Sequence, residues 1–307
     1  MMETAAPLVL VHYMIWFDYA NVSGHWDWYQ TPPFVPSDGC NNTENLATYF
    51  PPAVGSFASY DTSHIQYDFQ QFSTYGIDGV IIDYQHPEPG DPTLPLFNKS
   101  LPLVVSAAES AGLTWGIMYD TSSMTNWGAG SPTVQSDWAY LSTVSSQSPN
   151  YLRDSNGMKL MFAFGATPLP DNRDSQAYYY VQDGRTDTGG GDGAFAWNEP
   201  DASGGDWNEY LQDFYASKCG TMYPSTPIPC IGAAFAGYQA VYPGTVLPRS
   251  PKTLQSTLSL CQQYTPICQT VTWNDYNEGT HIEPSWWCDG TNNPNEFVEV
   301  VASFKGQ

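Results

Sequence analysis

The chain has few basic residues. Of its 307 residues, 9 are Lys or Arg and 31 are Asp or Glu, which gives a formal net charge of −22 at pH 7. Nucleic acids and anionic membrane surfaces bind proteins largely through Lys and Arg, because phosphates need positive partners. We therefore expect no nucleic-acid partner and no membrane partner. The balance favours a neutral substrate.

Several motifs that mark other chemistries are missing. No Gly-x-Gly-x-x-Gly follows the first predicted strand, which argues against a dinucleotide-binding fold. No Gly-x-Ser-x-Gly elbow is present, so a serine esterase is disfavoured. The five His residues form no His-x-His or His-Glu-x-x-His pattern, and no Cys-x-x-Cys occurs. We therefore expect no catalytic metal and no cofactor.

The cysteines and sequons point to an oxidising compartment. Six cysteines are an even number, which favours disulfides. Short spacing favours two pairs and leaves a third, although sequence alone leaves other pairings open: Cys219–Cys230, Cys261–Cys268 and Cys40–Cys288. Three N-glycosylation sequons begin at Asn21, Asn41 and Asn98. No apolar run approaches the ~20 residues of a membrane-spanning helix. We predict a secreted, extracellular glycoprotein and expect a monomer.

Short apolar runs alternate with amphipathic stretches along the chain. Eight runs are predicted as strands: Pro7–Trp16, Ile77–Tyr84, Leu113–Asp120, Lys159–Gly165, Ala177–Val181, Gly193–Trp197, Ile228–Ala236 and Ile267–Trp273. Six stretches are predicted as helices: Tyr60–Tyr75, Leu101–Ala111, Val134–Ser146, Asp206–Ala216, Pro251–Tyr264 and Asn295–Phe304. The stretch Asp183–Asp192 is predicted as one long loop. Buried strands alternating with helices favour a parallel sheet, and about eight of them favour a closed barrel. We predict an α/β fold, a single (β/α)₈ TIM-barrel domain over residues 1–307 with long, disulfide-pinned βα loops.

Several predicted strands end on carboxylates. In a parallel barrel these ends share one face, where the active sites of such enzymes lie. Asp83, Asp120 and Glu199 follow three different strands, although a single strand-end Asp is often only a helix N-cap. We expect Asp83 and Asp120 to hold substrate hydroxyls or to tune a catalytic acid.

The last strand carries the most informative pair, Asp275 and Glu278. If Val271 and Trp273 face the barrel interior, alternation places Asp275 at the interior rim, with Glu278 on the following loop. Two neighbouring carboxylates can flank a glycosidic bond, one protonating the leaving oxygen while the other activates water or assists. An acidic loop that caps the barrel or binds a cation is the alternative.

Aromatic residues make up 15% of the chain, with 11 Trp and 21 Tyr. Aromatic rings stack on the C–H faces of sugars, while amides and carboxylates pair with sugar hydroxyls. Besides Asp83 and Asp120, the predicted substrate-binding residues near strand ends are His12, Trp16, Tyr84, Trp197, Glu199, Trp273, Asn274 and Tyr276. Core packing is the alternative for each ring.

The segment Trp273–Pro284 (WNDYNEGTHIEP) resembles the signatures of glycoside hydrolase families 71 and 99. Its first half is similar to the W-N-D-Y-G-E of family 71, which acts on fungal α-1,3-glucan. Its second half is similar to the E-W-x-E-G-T-Q-I-E-P of family 99, which cleaves α-mannosides in endo fashion, with His281 replacing Gln. The segments Gly76–Tyr84 and Val54–Asp61 also resemble family-99-like proteins.

The resemblance implies an endo-acting hydrolase of α-linked polysaccharide, either an α-glucan such as α-1,3-glucan or an α-mannan. It implies Glu278 as general acid and Asp275 as base or assisting carboxylate. Family 99 has Glu where this chain has Asp275. The shorter side chain leaves more room for water and favours inversion, whereas a family-99-like mechanism retains configuration, so the outcome stays open.

Three other readings are weighed against this one. The strand Asp78–Gln85 partly resembles that of family 18 chitinases, but Gln85 replaces the essential Glu and Ile81 replaces the middle Asp. A non-catalytic secreted carbohydrate-binding barrel is a second reading, which the presence of both signature carboxylates disfavours. A transglycosylase or lyase on the same scaffold is a third.

Overall fold

The computed structural model describes residues 7–18, 46–85, 94–122, 131–165, 167–182, 190–199, 207–220, 226–241, 244, 246–287 and 290–307. The predicted pair Cys40–Cys288, the sequons at Asn21 and Asn41, and most of the predicted loop Asp183–Asp192 lie outside these residues.

Eight parallel strands close into a barrel. They are β1 (Leu8–Met14), β2 (Gly79–Gln85), β3 (Thr114–Asp120), β4 (Lys159–Phe164), β5 (Ala177–Gln182), β6 (Gly193–Phe195), β7 (Cys230–Ala234) and β8 (Ile267–Thr270). Each strand pairs with the next, and β1 pairs with β8 to close the ring. The predicted (β/α)₈ barrel is confirmed.

Helices cover the outside of the barrel. They are α1 (Thr62–Tyr75), α2 (Leu94–Ser110), α3 (Pro132–Ser146), α4 (Trp207–Lys218), α5 (Pro251–Cys261) and α6 (Glu296–Lys305). The start of α1 is set by Asp61, whose side chain accepts a hydrogen bond from the Ser63 backbone N–H, and its end by Gly76 in the left-handed conformation. The largest departure from the prediction is α2, which begins seven residues before the expected Leu101 and continues through Pro102. No helix is described between β4 and β6.

The barrel interior is packed with aromatic and polar side chains. The rings of His12 on β1 and Phe195 on β6 lie 6.4 Å apart, and since these strands are not neighbours, the rings meet across the interior. Phe162 on β4 packs 5.5 Å from Phe195. His12 contacts Gln269 at 2.7 Å, and burial lowers the pKa of His12 to about 4, which keeps the ring neutral. A closed layer therefore lies beneath the carboxyl ends of the strands.

Two predicted disulfides are confirmed. Cys219–Cys230 joins the end of α4 to the start of β7, and Cys261–Cys268 joins α5 to β8. Both therefore secure connections from a helix to the following strand, at the face of the barrel where strands begin. Within the described part of the chain, no helix combines the length and apolar character needed to cross a membrane.

Candidate active site

A cavity of about 590 Å³ lies at the carboxyl ends of the strands. Its lining comes from the ends of four strands and from segments that follow three others, which is the face where barrel enzymes carry their sites. The lining residues are Met14, Trp16, Asp83, Gln85, Asp120, Ser122, Phe164, Trp197, Asn198, Glu199, Trp207, Tyr238, Asp275 and Glu278. Five of them are carboxylates and none is basic, so the described lining forms an acidic cavity.

The segment after β8 brings Asp275 and Glu278 together at this cavity. A carboxylate oxygen of Asp275 accepts a hydrogen bond from the Glu278 backbone N–H at 3.1 Å, so the two residues share one tight turn. Asp275 is 5% exposed. Burial and the charge of Glu278 raise the pKa of Asp275, although backbone N–H groups of Glu278 and Asn277 oppose this rise. The two predicted catalytic residues are therefore neighbours, and the charge of Glu278 acts on the protonation of Asp275.

The route by which Asp275 reaches the cavity differs from the prediction. The strand ends at Thr270, and the Trp273 ring packs 4.6 Å from Phe72 of α1, on the outside of the barrel. The inference that Trp273 faces the interior was therefore wrong. Asp275 enters the cavity because the chain turns after the strand. Its backbone N–H donates to the Thr272 hydroxyl at 2.9 Å, which fixes that turn.

The loop that follows β7 holds the same turn in place. The backbone N–H of Gln239 donates to the carbonyl of Glu278 at 2.9 Å, and Val241 donates to the carbonyl of Asn277 at 2.9 Å. Gly279 has a φ of +62°, and a Cβ at this position would come 2.6 Å from the Gln239 carbonyl oxygen. Only glycine fits both the backbone conformation and the close approach.

Asp120, at the end of β3, is held by three hydrogen-bond donors. Gln85 donates from its side-chain amide at 2.7 Å, and Ser122 donates from its backbone N–H at 2.7 Å and its hydroxyl at 2.9 Å. Donors of this kind stabilise a carboxylate and fix its direction. Asp120 is therefore an oriented carboxyl group at the cavity wall.

Asp83, at the end of β2, has the opposite environment. It is 3% exposed, and its Oδ1 atom has no hydrogen-bond partner. Burial, together with the nearby Asp120 and Asp275, raises the pKa of Asp83 well above its ordinary range. A carboxyl group in this position tends to keep its proton and can donate a hydrogen bond to a ligand.

Aromatic side chains form the rest of the cavity wall. Trp197 packs edge-on against His12 at 4.6 Å and lies 4.9 Å from Phe164, so its position is fixed from below. Glu199 accepts a hydrogen bond from Gln182 at 2.7 Å. Trp16, Trp207 and Tyr238 complete an aromatic lining suited to sugar faces.

Five residues that were predicted to bind substrate do not line the cavity. They are His12, Tyr84, Trp273, Asn274 and Tyr276. His12 lies beneath Trp197. Tyr84 packs against Phe97 and donates to Asn98 at 3.3 Å, on the helix side of the barrel. Each of the five is buried, and none is among the residues that line the cavity.

Asn274 and Tyr276 have scaffold roles in the same segment. Asn274 bonds both the backbone N–H and the carbonyl of Met14, at 2.7 and 3.0 Å, and so joins the end of β1 to the turn. The Tyr276 ring lies 4.0 Å from the His281 ring at a tilt of 35°, and Tyr276 is not among the residues that line the cavity. These two side chains position the turn that carries Asp275.

Sequence reasoning missed several lining residues. Gln85 carried a usable signal, because it lies two residues after Asp83 on the same strand and alternation places both on one face. Trp207 begins α4 and Tyr238 follows β7, so no local pattern marks either as a cavity residue.

Neither a protein-family model nor a curated protein sequence matches the chain. Solved structures do. Two structures of the GH99 endo-α-mannosidase from Bacteroides thetaiotaomicron, one of them in complex with BIS-TRIS-propane, match with TM-scores of 0.72 and 0.73 at 15% and 14% identity. Each match covers 98% of this chain and 97% of the other. A glycoside hydrolase-like protein matches with a TM-score of 0.65 at 12% identity, over 99% of this chain and 95% of the other. The resemblance to family 99 is therefore confirmed at the level of the fold, over nearly the whole chain.

Proposed function

We propose that the chain is a secreted, endo-acting glycoside hydrolase that cleaves a neutral α-linked polysaccharide. The observation that carries this proposal is the pair Asp275 and Glu278, which share one turn at an acidic, aromatic-lined cavity on the catalytic face of the barrel. The fold shared with an endo-α-mannosidase supports the same conclusion.

In the proposed reaction, Glu278 is the general acid and Asp275 is the base or assisting carboxylate. Glu278 is the more exposed of the two and is better placed to give its proton to the leaving glycosidic oxygen. Asp275 takes a proton from water or from a substrate hydroxyl.

The rest of the lining supports a neutral sugar as substrate. Trp16, Trp197 and Tyr238 offer faces for sugar rings, while Asp83 and Asp120 offer a donor and an acceptor for hydroxyls. No basic side chain occurs among the described lining residues, so an anionic polysaccharide would meet only repulsion. An α-glucan such as α-1,3-glucan, or an α-mannan, is the substrate class that we propose.

Secretion is supported by two observations. Both described disulfides are of the kind that persists in oxidising compartments, and the sequon residue Asn98 is exposed on α2. We propose that the protein acts as an extracellular monomer without a cofactor.

The Glu278→Gln variant tests the assignment. It keeps the size of the side chain and removes the proton donor, so release of reducing ends from α-glucans and α-mannans should fall about 10²–10⁴-fold while binding is kept. Glu209→Gln, an exposed change on α4, is the matched control and should retain full activity. Wild-type turnover by Glu278→Gln would sink the assignment.

The same assay on α-glucans and α-mannans distinguishes the alternative functions. Binding without product from the wild-type protein would indicate a non-catalytic carbohydrate-binding barrel, and unsaturated or lengthened products would indicate a lyase or a transglycosylase. NMR of the anomer that is released first distinguishes inversion from retention.

A further inference from the structure

A second group of ionisable side chains lies outside the cavity. His64 and Asp68 are one turn apart on α1, and Glu283 lies in the segment that follows β8. The Nε2 atom of His64 is 3.2 Å from Asp68 Oδ2 and 3.3 Å from Glu283 Oε1. Exposure is 6% for His64 and 0% for both carboxylates. Side chains from two separate parts of the chain therefore meet at one site that is buried from solvent.

The partners of this group do not balance its charge. Tyr13 donates to Asp68 Oδ2 at 2.7 Å and the Tyr276 phenol lies against Glu283, but Asp68 Oδ1 has no hydrogen-bond partner. Within the described residues, no Lys or Arg forms an ion pair with either carboxylate. Buried carboxylates are strongly destabilising unless something neutralises them.

We propose that His64, Asp68 and Glu283 bind one divalent transition-metal cation, with Zn²⁺ as the first candidate. One neutral imidazole and two carboxylates around a divalent cation sum to zero charge. Metal–ligand bonds of about 2.0–2.1 Å in tetrahedral geometry separate neighbouring ligand atoms by about 3.3 Å. The two measured separations from His64 match this value, and one ligand atom from each residue lies within 4.8 Å of the others.

The geometry of His64 favours a cation over protons as the neutralising charge. Its Nε2 atom lies close to both oxygens but forms a hydrogen bond with neither. A protonated imidazole would aim its N–H at one of them, whereas a metal ligand aims its lone pair between them. The Phe57 ring, stacked 3.4 Å from His64, holds that orientation. A nitrogen ligand also suits Zn²⁺ better than Ca²⁺ or Mg²⁺, which prefer oxygen.

The proposed cation is structural. None of its three ligands lines the cavity. It would join α1 to the far end of the segment whose near end carries Asp275 and Glu278. The inference therefore does not depend on the proposed hydrolase activity, and metal content tests it without any substrate.

Metal content and thermal stability provide the test. The full chain is stripped with a chelator, dialysed against Zn²⁺ and analysed by plasma mass spectrometry, with about one equivalent expected. Zn²⁺ at about a hundredfold excess over its Kd should raise Tm by about 4 °C. Co²⁺ in place of Zn²⁺ should give the visible absorption of a four-coordinate site.

Two variants complete the test. His64→Gln should bind no stoichiometric metal and lose the Tm response, whereas His12→Gln, an equally buried histidine that contacts Gln269 and Trp197, should keep one equivalent. The proposal is wrong if the metal-free wild type takes up no Zn²⁺, Mn²⁺ or Co²⁺ and its Tm does not change with any of the three. Protons would then neutralise His64, Asp68 and Glu283. A full equivalent of metal retained by His64→Gln would also overturn it. If that variant does not fold, wild-type uptake and the Co²⁺ spectrum decide.

Discussion

Replacing Asp83 with Asn should make the protein more stable at neutral pH. Asp83 is buried beside Asp120 and Asp275, and all three effects raise its pKa. Asn keeps the size of the side chain and cannot ionise, and its amide can donate toward the neighbouring carboxylates. The variant therefore removes the penalty of ionising a carboxyl group in this position.

The size of the effect follows from proton linkage. In the folded protein Asp83 keeps its proton above its ordinary pKa of 3.8, whereas in the unfolded chain it loses that proton near this value. Unfolding therefore releases a proton, and rising pH favours the unfolded state. One such group lowers the free energy of unfolding by about 1.4 kcal/mol per pH unit between the two pKa values. The stability of Asp83→Asn should lack this slope, so the gain over wild type is near zero at pH 4 and grows as the pH rises.

Urea unfolding at half-unit steps from pH 4 to pH 7 measures this difference. Asp213→Asn, which changes an exposed carboxylate on α4, is the control and should run parallel to wild type. If the Asp83→Asn curve also runs parallel to wild type, Asp83 ionises in the folded protein without penalty, and the electrostatic description of the cavity is wrong.

Two further predictions concern stability and the catalytic turn. Replacing Cys219 and Cys230 together with Ser opens a loop with a sequence separation of 11 residues; this should lower the free energy of unfolding in urea by about 3 kcal/mol while activity at low temperature persists. Gly279→Ala should lower activity more than about tenfold, because its Cβ would meet the Gln239 carbonyl oxygen at 2.6 Å. Gly112→Ala, with a similar positive φ and nothing near its Cβ, should lose only stability, and equal activity losses in the two variants would contradict the argument.

The fold could be predicted because the barrel repeats one simple pattern. Each buried strand is a short apolar run, and each helix shows amphipathic spacing, so all fourteen described elements were predicted. Boundaries were less predictable. Trp273 extends the apolar run of β8, but its ring packs on Phe72 of α1 after the strand has ended. Apolar character alone does not tell a strand residue from a residue buried beyond the strand.

The carboxylates of the cavity could be predicted for a related reason. Asp83 and Asp120 are strand ends, and a barrel places all strand ends on one face. Aromatic residues near strand ends gave a poorer guide: Trp197 lines the cavity, whereas Tyr84 packs against Phe97 on the helix side. The direction of a ring depends on strand alternation and on which helix packs against the strand. The sequence pattern shows the alternation, but the packing of the helix is known only from the folded structure.

The segment Trp273–Pro284 resembles a single signature but serves two sides of the molecule. Asp275 and Glu278 face the cavity, whereas Glu283 faces α1 at the proposed cation site. Because a turn separates these directions, neither strand alternation nor helical spacing assigns them from sequence. A substitution at Glu283 that lowers activity would therefore not identify a catalytic residue. If the Glu283 variant lost both the bound metal and the Tm response to metal, the loss of activity would be explained by weaker anchoring of the turn. If its metal content were unchanged, the loss of activity would have another cause.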